Sequence, residues 1–136
     1  MRISNGFLSA TIIEYGAILS DLRINGMAHG LTLSHPTLEA YQADRAHMGA
    51  IAGPVAGRIS GGRFSIDGVE HRTAQNEGLN TLHGGPIGFG RRIWQLIDQG
   101  PDFAVLAMHL PDGDGGFPGP IDATCRDSIT DDALTL

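Results

Sequence analysis

Apolar and polar side chains alternate along several short segments of the chain, a pattern that predicts half-buried β-strands. In residues 63–72, RFSIDGVEHR, Phe64 and Ile66 precede an Asp67-Gly68 pair, and the alternation resumes after it. Asp-Gly between two such runs indicates a hairpin, because a type I′ turn needs a positive φ at both central residues. We therefore predict two antiparallel strands joined by this turn.

Four other segments also predict strands. Residues 102–110, DFAVLAMHL, are apolar enough for a buried strand, and RRIWQLID at 91–98 and IDATCRDSI at 121–129 alternate. Residues 11–26 predict two strands bent at Gly16 and ending in an Asn-Gly turn. Because turn signals recur about every 8–12 residues, we expect an all-β sandwich or barrel.

The last residues, TDDALTL at 130–136, predict a turn at Asp131-Asp132 and the start of a strand from Ala133 to Leu136. An unfinished sheet leaves N–H and C=O groups open along its edge, and these can pair with another chain. We therefore expect that the fold is incomplete at its C-terminus.

Only one segment favours a helix, and only a short one. Residues 36–49, PTLEAYQADRAHMG, have Thr37 or His35 as a possible start and Gly49 as a possible end. No repeat, low-complexity tract or linker divides the chain. Its 136 residues are therefore expected to belong to one domain.

Composition narrows the classes of partner. Nine Lys and Arg against 15 Asp and Glu give a net charge of −6, which argues against nucleic acid and against an anionic membrane surface. No apolar run approaches the roughly 20 residues of a spanning helix, and no signal peptide is recognisable. Cys125 is the only cysteine, which fits a reducing compartment. The cytoplasm is the expected location. The 20 glycines fit many tight turns.

Two polar residues stand out within glycine-rich segments. Arg58 is the only charge in AIAGPVAGRISGG, and His83 lies in NTLHGGPIGFG. The Arg58 guanidinium should either pair with a carboxylate or contact a ligand. His83 is either a structural turn residue or a ligand contact approached through its glycines.

Metal and nucleophile chemistry are less well supported by the sequence. The six histidines show no ligand-type spacing, so no metal is expected. Asp112 and Asp114 resemble the start of a calcium loop, but a surface turn is the simpler interpretation because further oxygen ligands are absent. Cys125 is interpreted as a small buried side chain.

Five segments in order resemble the aldose 1-epimerase (galactose mutarotase) family. They are YGAILSDLRING, LTLSHPTLEAY, GAIAGPVAGRISGGRFSIDGVEH, QNEGLNTLHGGPIGFGRRIW and LPDGDGGFPGPIDATCRDSITDDALTL. The resemblance implies a galactose-mutarotase-like β-sandwich, or supersandwich, with a cleft for an aldose sugar. It also implies interconversion of the α and β anomers of free hexoses by acid–base chemistry, with no metal or organic cofactor.

The resemblance assigns site residues position by position. His83 matches a sugar-contacting histidine that assists catalysis, and Arg58 matches a sugar-binding arginine. Gly57 stands where the family has a sugar-binding asparagine, and Pro54 where it often has an arginine. These two departures weaken any prediction of a particular hexose.

The family's acid histidine and base glutamate have no counterpart among these residues. Residues 1–136 therefore resemble the N-terminal part of a single aldose 1-epimerase-like domain. We expect weak or no mutarotation by this chain alone. The alternative is a non-enzymatic carbohydrate-binding remnant, or a half-domain that assembles with a complementing C-terminal half. An uncovered sheet face also predicts homo-oligomers or poor solubility.

Overall fold

Strands make up nearly all of the regular structure, as the alternating pattern predicts. The computed structural model describes residues 1–136. Its strands are β1 (Arg2–Ser4), β2 (Leu8–Ile13), β3 (Ile18–Ile24), β4 (Arg58–Ile59), β5 (Arg63–Ile66), β6 (Val69–Arg72), β7 (Thr81–Leu82), β8 (Gln95–Gln99), β9 (Phe103–Leu110), β10 (Ile121–Thr130) and β11 (Ala133–Thr135). The one α-helix is α1 (Leu38–Ala43).

Two antiparallel sheets enclose the hydrophobic core. One has the order β1-β2-β3 and the other β11-β10-β9-β8. Each sheet turns one apolar face inward because alternate side chains of a strand point to opposite faces. The core is formed by Ile3, Leu8, Ala10, Ile12 and Ala17 from the first sheet region and by Trp94, Ala104, Leu106, Cys125 and Ile129 from the second. The all-β prediction is confirmed.

The predicted hairpin is present. β5 pairs with β6 so that Ile66 lies opposite Val69. The φ angles of Asp67 and Gly68 are 51° and 81°, as a type I′ turn requires. The final turn is also confirmed, because β10 pairs with β11 through Thr130 and Ala133.

The predicted strand pair within residues 11–26 is β2 and β3, which pair antiparallel. The bend between them includes Gly16 with a φ of 67°. A Cβ on Gly16 would come within 2.6 Å of the Gly90 carbonyl oxygen, so this position needs glycine for close approach as well as for its φ.

The helix begins as predicted and ends earlier. The Thr37 side chain accepts a hydrogen bond from the backbone N–H of Ala40 at 3.3 Å, which caps the first turn. The predicted end at Gly49 is wrong, because the chain leaves the helix at Asp44. The Asp44 carboxylate accepts from the N–H of Ala46 at 2.9 Å, a local bond that competes with a further helical turn. No helix of the chain has the length and apolar character needed to span a membrane.

Two small sheets lie outside the sandwich. β5 pairs with β6, and β4 pairs with β7. In the second pair Arg58 lies opposite Leu82 and Ile59 opposite Thr81. This short ladder joins the two glycine-rich segments that carry the candidate site residues.

Candidate functional site

The β4–β7 ladder brings Arg58 and His83 close together, although they are far apart in sequence. His83 directly follows β7. The Asn76 side chain holds that strand at Leu82, since its amide donates to the Leu82 carbonyl at 3.0 Å and its oxygen accepts from the Leu82 N–H at 2.7 Å. The Asn80 side chain accepts from the Gly61 N–H at 3.3 Å. The side chains of Asn76 and Asn80 thus position the backbone of Leu82 and Gly61.

The backbone of Gly57 fixes the orientation and the tautomer of His83. The His83 N–H donates to the Gly57 carbonyl at 3.0 Å, and the Gly57 N–H donates to His83 Nδ1 at 3.0 Å. Nδ1 is therefore the unprotonated nitrogen, and the neutral imidazole carries its hydrogen on Nε2. The Nε2–H group of His83 therefore remains available as a hydrogen-bond donor to a ligand oxygen.

His83 and Gly57 both have left-handed backbone. The φ angles are 50° for His83 and 82° for Gly57, and histidine is one of the non-glycine residues enriched in this region. A Cβ on Gly57 would meet no atom within 4 Å. Gly57 therefore serves the site through its two backbone groups. Its predicted place in sugar binding remains a prediction, as does that of His83.

Arg58 forms a bidentate salt bridge with Glu77. Nε and Nη2 donate to the two carboxylate oxygens at 2.5 and 2.6 Å, and the side chains are 58% and 38% exposed. The hydrogen bonds and charge of Glu77 raise the pKa of Arg58, while Arg58 lowers that of Glu77. Of the two alternatives for Arg58, the ion pair is present. The sugar contact remains a prediction.

The glycines around His83 let backbone segments pack against each other. A Cβ on Gly84 would lie 1.9 Å from the Gly53 carbonyl oxygen, and one on Gly88 would lie 2.2 Å from the His83 carbonyl oxygen. Both glycines are buried. The glycines thus permit the close backbone packing that holds the loop carrying His83, a role that neither alternative for His83 included.

A polar cavity of about 620 Å³ adjoins these residues. Glu77 and Leu82 line it, together with Arg45, His47 and Arg91. The rings of His47 and His83 meet edge to face, with centroids 5.2 Å apart. The cavity therefore lies beside His83 and beside the Arg58–Glu77 pair.

Sequence reasoning missed His47, Glu77 and Arg91. The pKa of His47 is lowered first by burial and then by the charges of Arg91 and His83. Glu77 carries no sequence signal that pairs it with Arg58, because the ladder that brings the two together has only two residues in each strand. His47 has no local signal, because only loop packing brings it to His83.

The other candidate residues have structural partners. Asp114 pairs with Arg92, and the Asp112 side chain accepts from the Gly119 N–H at 2.6 Å, so both hold the surface turn together. Cys125 is buried in the core, as predicted. No three His, Cys, Asp or Glu side chains are close enough to hold a metal ion.

Curated proteins with similar sequences are longer than this chain. Aldose 1-epimerase of Escherichia coli (strain K12) is 36% identical over 132 residues, which cover 95% of this chain and 38% of the relative. Galactose mutarotase of Bos taurus is 35% identical over 125 residues, covering 88% of this chain and 36% of the relative. The chain thus spans less than two fifths of the length of either relative.

Solved structures agree with the fold. An aldose epimerase homologue from C. elegans superposes with a TM-score of 0.88 at 29% identity, over 95% of this chain and 41% of the other. Galactose 1-epimerase from Lactobacillus acidophilus gives a TM-score of 0.78 at 27% identity, over 91% and 37%. The galactose-mutarotase-like fold is confirmed. Because the model of the family described as aldose 1-epimerase matches residues 1–136, the chain belongs to the aldose 1-epimerase family.

Proposed function

We propose that this chain binds free aldose sugars as the N-terminal part of a single domain that interconverts their α and β anomers. The observation that carries the proposal is the fixed tautomer of His83. Its Nδ1 is occupied by the Gly57 N–H, so Nε2–H is the group that remains to contact a sugar. A donor at that nitrogen suits the ring oxygen, on which negative charge develops as the ring opens.

Arg58 is proposed as a second sugar contact. Its Nε and Nη2 are engaged by Glu77, which leaves Nη1 to donate to a sugar hydroxyl. Glu77 holds the guanidinium plane in place, since a bidentate pair fixes orientation as well as distance. Gly57 contributes no side chain, so its proposed part in binding is indirect.

Catalysis by this chain alone is proposed to be weak. Mutarotation needs an acid and a base acting together, and the resemblance provides neither among these residues beyond the assisting His83. Losing one member of a cooperating set removes most of the rate. Polarimetry of freshly dissolved α-galactose and α-glucose tests this, with His83→Ala as the comparison. A rate clearly above buffer that His83→Ala abolishes would contradict the proposal.

The second candidate is a non-enzymatic carbohydrate-binding remnant or a half-domain that joins another chain. Large apolar side chains favour assembly, since Leu33 is 82% exposed and Leu79 is 75% exposed. We expect homo-oligomers or association with a complementing C-terminal half, in the cytoplasm. Light scattering after size exclusion measures this. A monodisperse monomer with a sharp thermal transition would count against it.

A further inference from the structure

We propose that the cavity beside His83 binds an anionic group of the sugar, so that the substrate is an aldose carrying a phosphate or a carboxylate. This rests on the proposed function, because it takes the sugar to lie at His83. The cavity lining includes Arg45, His47 and Arg91. The two arginines concentrate positive charge within a chain whose net charge is −6, and His47 lies beside them.

The arginines of the cavity have no carboxylate partner. Arg91 donates to two neutral acceptors, the carbonyl oxygens of Asp44 at 2.7 Å and Gln42 at 3.4 Å. Arg45 is exposed and belongs to none of the six salt bridges of the chain. Neither guanidinium group next to the cavity is therefore paired with an opposite charge.

The acidic groups close to the cavity do not pair with its arginines. Glu77 is the one carboxylate in the lining, and Arg58 holds both of its oxygens. The Asp44 carboxylate accepts from the Ala46 N–H and lies 3.6 Å from His35. Neither carboxylate forms an ion pair with Arg45 or Arg91, so an incoming anion finds cations that are not neutralised.

The pKa of His47 depends on the charges around the cavity. Burial lowers the pKa of His47 most and the charge of Arg91 lowers it further, while the charge of Asp44 acts in the opposite direction. An anion bound among these groups favours protonated His47. Anion binding must therefore raise the pKa of His47, which gives a measurement independent of activity.

Phosphate and carboxylate groups share the chemistry that this cavity recognises. Arginine binds either one through paired N–H donors, and phosphate adds charge and a third oxygen. The two anionic sugar probes carry their charge at C6, which leaves the anomeric carbon free to react. Inorganic phosphate, galactose 6-phosphate, galacturonate and galactose separate the two anions from the neutral sugar.

The test is NMR titration of the histidine ring protons of the full chain, with His47 assigned through His47→Asn. Inorganic phosphate and galactose 6-phosphate should raise the pKa of His47, and Arg45→Gln should weaken that binding about fivefold. Arg126→Gln is the matched control, since it removes one exposed positive charge on β10 and should leave binding unchanged. Equal weakening by both variants, or no response to any anion, overturns the proposal.

The ligand series keeps this test distinct from that of the proposed function. If galactose perturbs His83 while no anion perturbs His47, the anion site is wrong and aldose binding survives. If anions act at His47 through Arg45 while galactose 6-phosphate binds no tighter than inorganic phosphate, the assignment to a sugar substrate is wrong. Tighter binding of galactose 6-phosphate or of galacturonate than of galactose identifies the anion and supports the proposal.

Discussion

The sandwich core and the His83 loop are held together in different ways. In the core, apolar side chains from two sheets fill the space between them, with Trp94 and Leu106 almost fully buried. At the site, backbone meets backbone across glycines, and the amide of Asn76 holds Leu82. Packed side chains stabilise the core. The His83 loop can form only because glycines have no side chains where its backbone segments approach each other. This difference decides which substitutions each region tolerates.

The largest expected effect lies in the core. Trp94 is 1% exposed, and its Nε1 donates to the Phe89 carbonyl at 3.0 Å. Trp94→Ala should lower the free energy of unfolding by about 3–5 kcal/mol, because it leaves a large cavity and removes the hydrogen bond to the Phe89 carbonyl. Urea unfolding followed by circular dichroism measures this. The neighbouring Ile93→Ala, at 64% exposure, should change stability by less than about 0.5 kcal/mol, and equal losses would contradict the comparison.

At the site, adding one methyl group should be almost as damaging. A Cβ on Gly84 would overlap the Gly53 carbonyl oxygen, whereas one on Gly113 would meet nothing within 4 Å. The φ angles are 83° and 79°, so backbone strain is matched. Gly84→Ala should cost about 3 kcal/mol and Gly113→Ala about 1 kcal/mol. Similar losses in urea would show that the close backbone approach contributes little.

This contrast also explains what the sequence could predict. The strand β10 was predictable because alternation records which side chains face the core, and β9 because its run of apolar residues is typical of a buried strand. The hairpin at Asp67 was predictable because its two turn residues need positive φ. The contact of Gly84 with Gly53 leaves no comparable trace, because a glycine does not show whether it serves a turn or a close approach.

The site was predictable in part. His83 and Arg58 were identified as candidates by local composition and by the family resemblance. His47 was not, since no periodic pattern links it to His83. The partner of Arg58 could not be chosen in advance because the β4–β7 ladder, which has two residues in each strand, is too short to be recognised from sequence.

Asp127 is an exception to the rule that the core is apolar, and it makes core stability depend on pH. Its carboxyl is fully buried, and burial raises its pKa to about 6. Folding favours the neutral carboxyl of Asp127. The contribution of this group to the free energy of unfolding is therefore fully present below the unfolded pKa of 3.8 and is lost as the pH rises through about 6. Between pH 4 and 7 the loss should be about 2–3 kcal/mol.

The contribution of Asp127 can be isolated with Asp127→Asn, which does not titrate. The stability difference between wild type and variant should shift by that amount between pH 4 and 7, in favour of the variant at pH 7. Asp44 and Glu77 have lowered pKa values and lose stabilisation as the pH falls, but they are common to both proteins and cancel. Asp98→Asn, at an exposed position, should show no such shift.

The smallest effect is expected for the salt bridge at the site. Glu77→Gln removes the charge that pairs with Arg58, yet both side chains are substantially exposed, and such pairs contribute little to folding. The urea midpoint should therefore match that of Glu70→Gln, which breaks the exposed Arg72–Glu70 pair. If Glu77→Gln alone destabilised the fold, a side-chain ion pair, and not backbone packing at glycines, would hold the site together. An unchanged midpoint would mean that Glu77 serves only to orient Arg58. In that case the Glu77→Gln variant should bind sugar more weakly than the wild type while its stability stays the same.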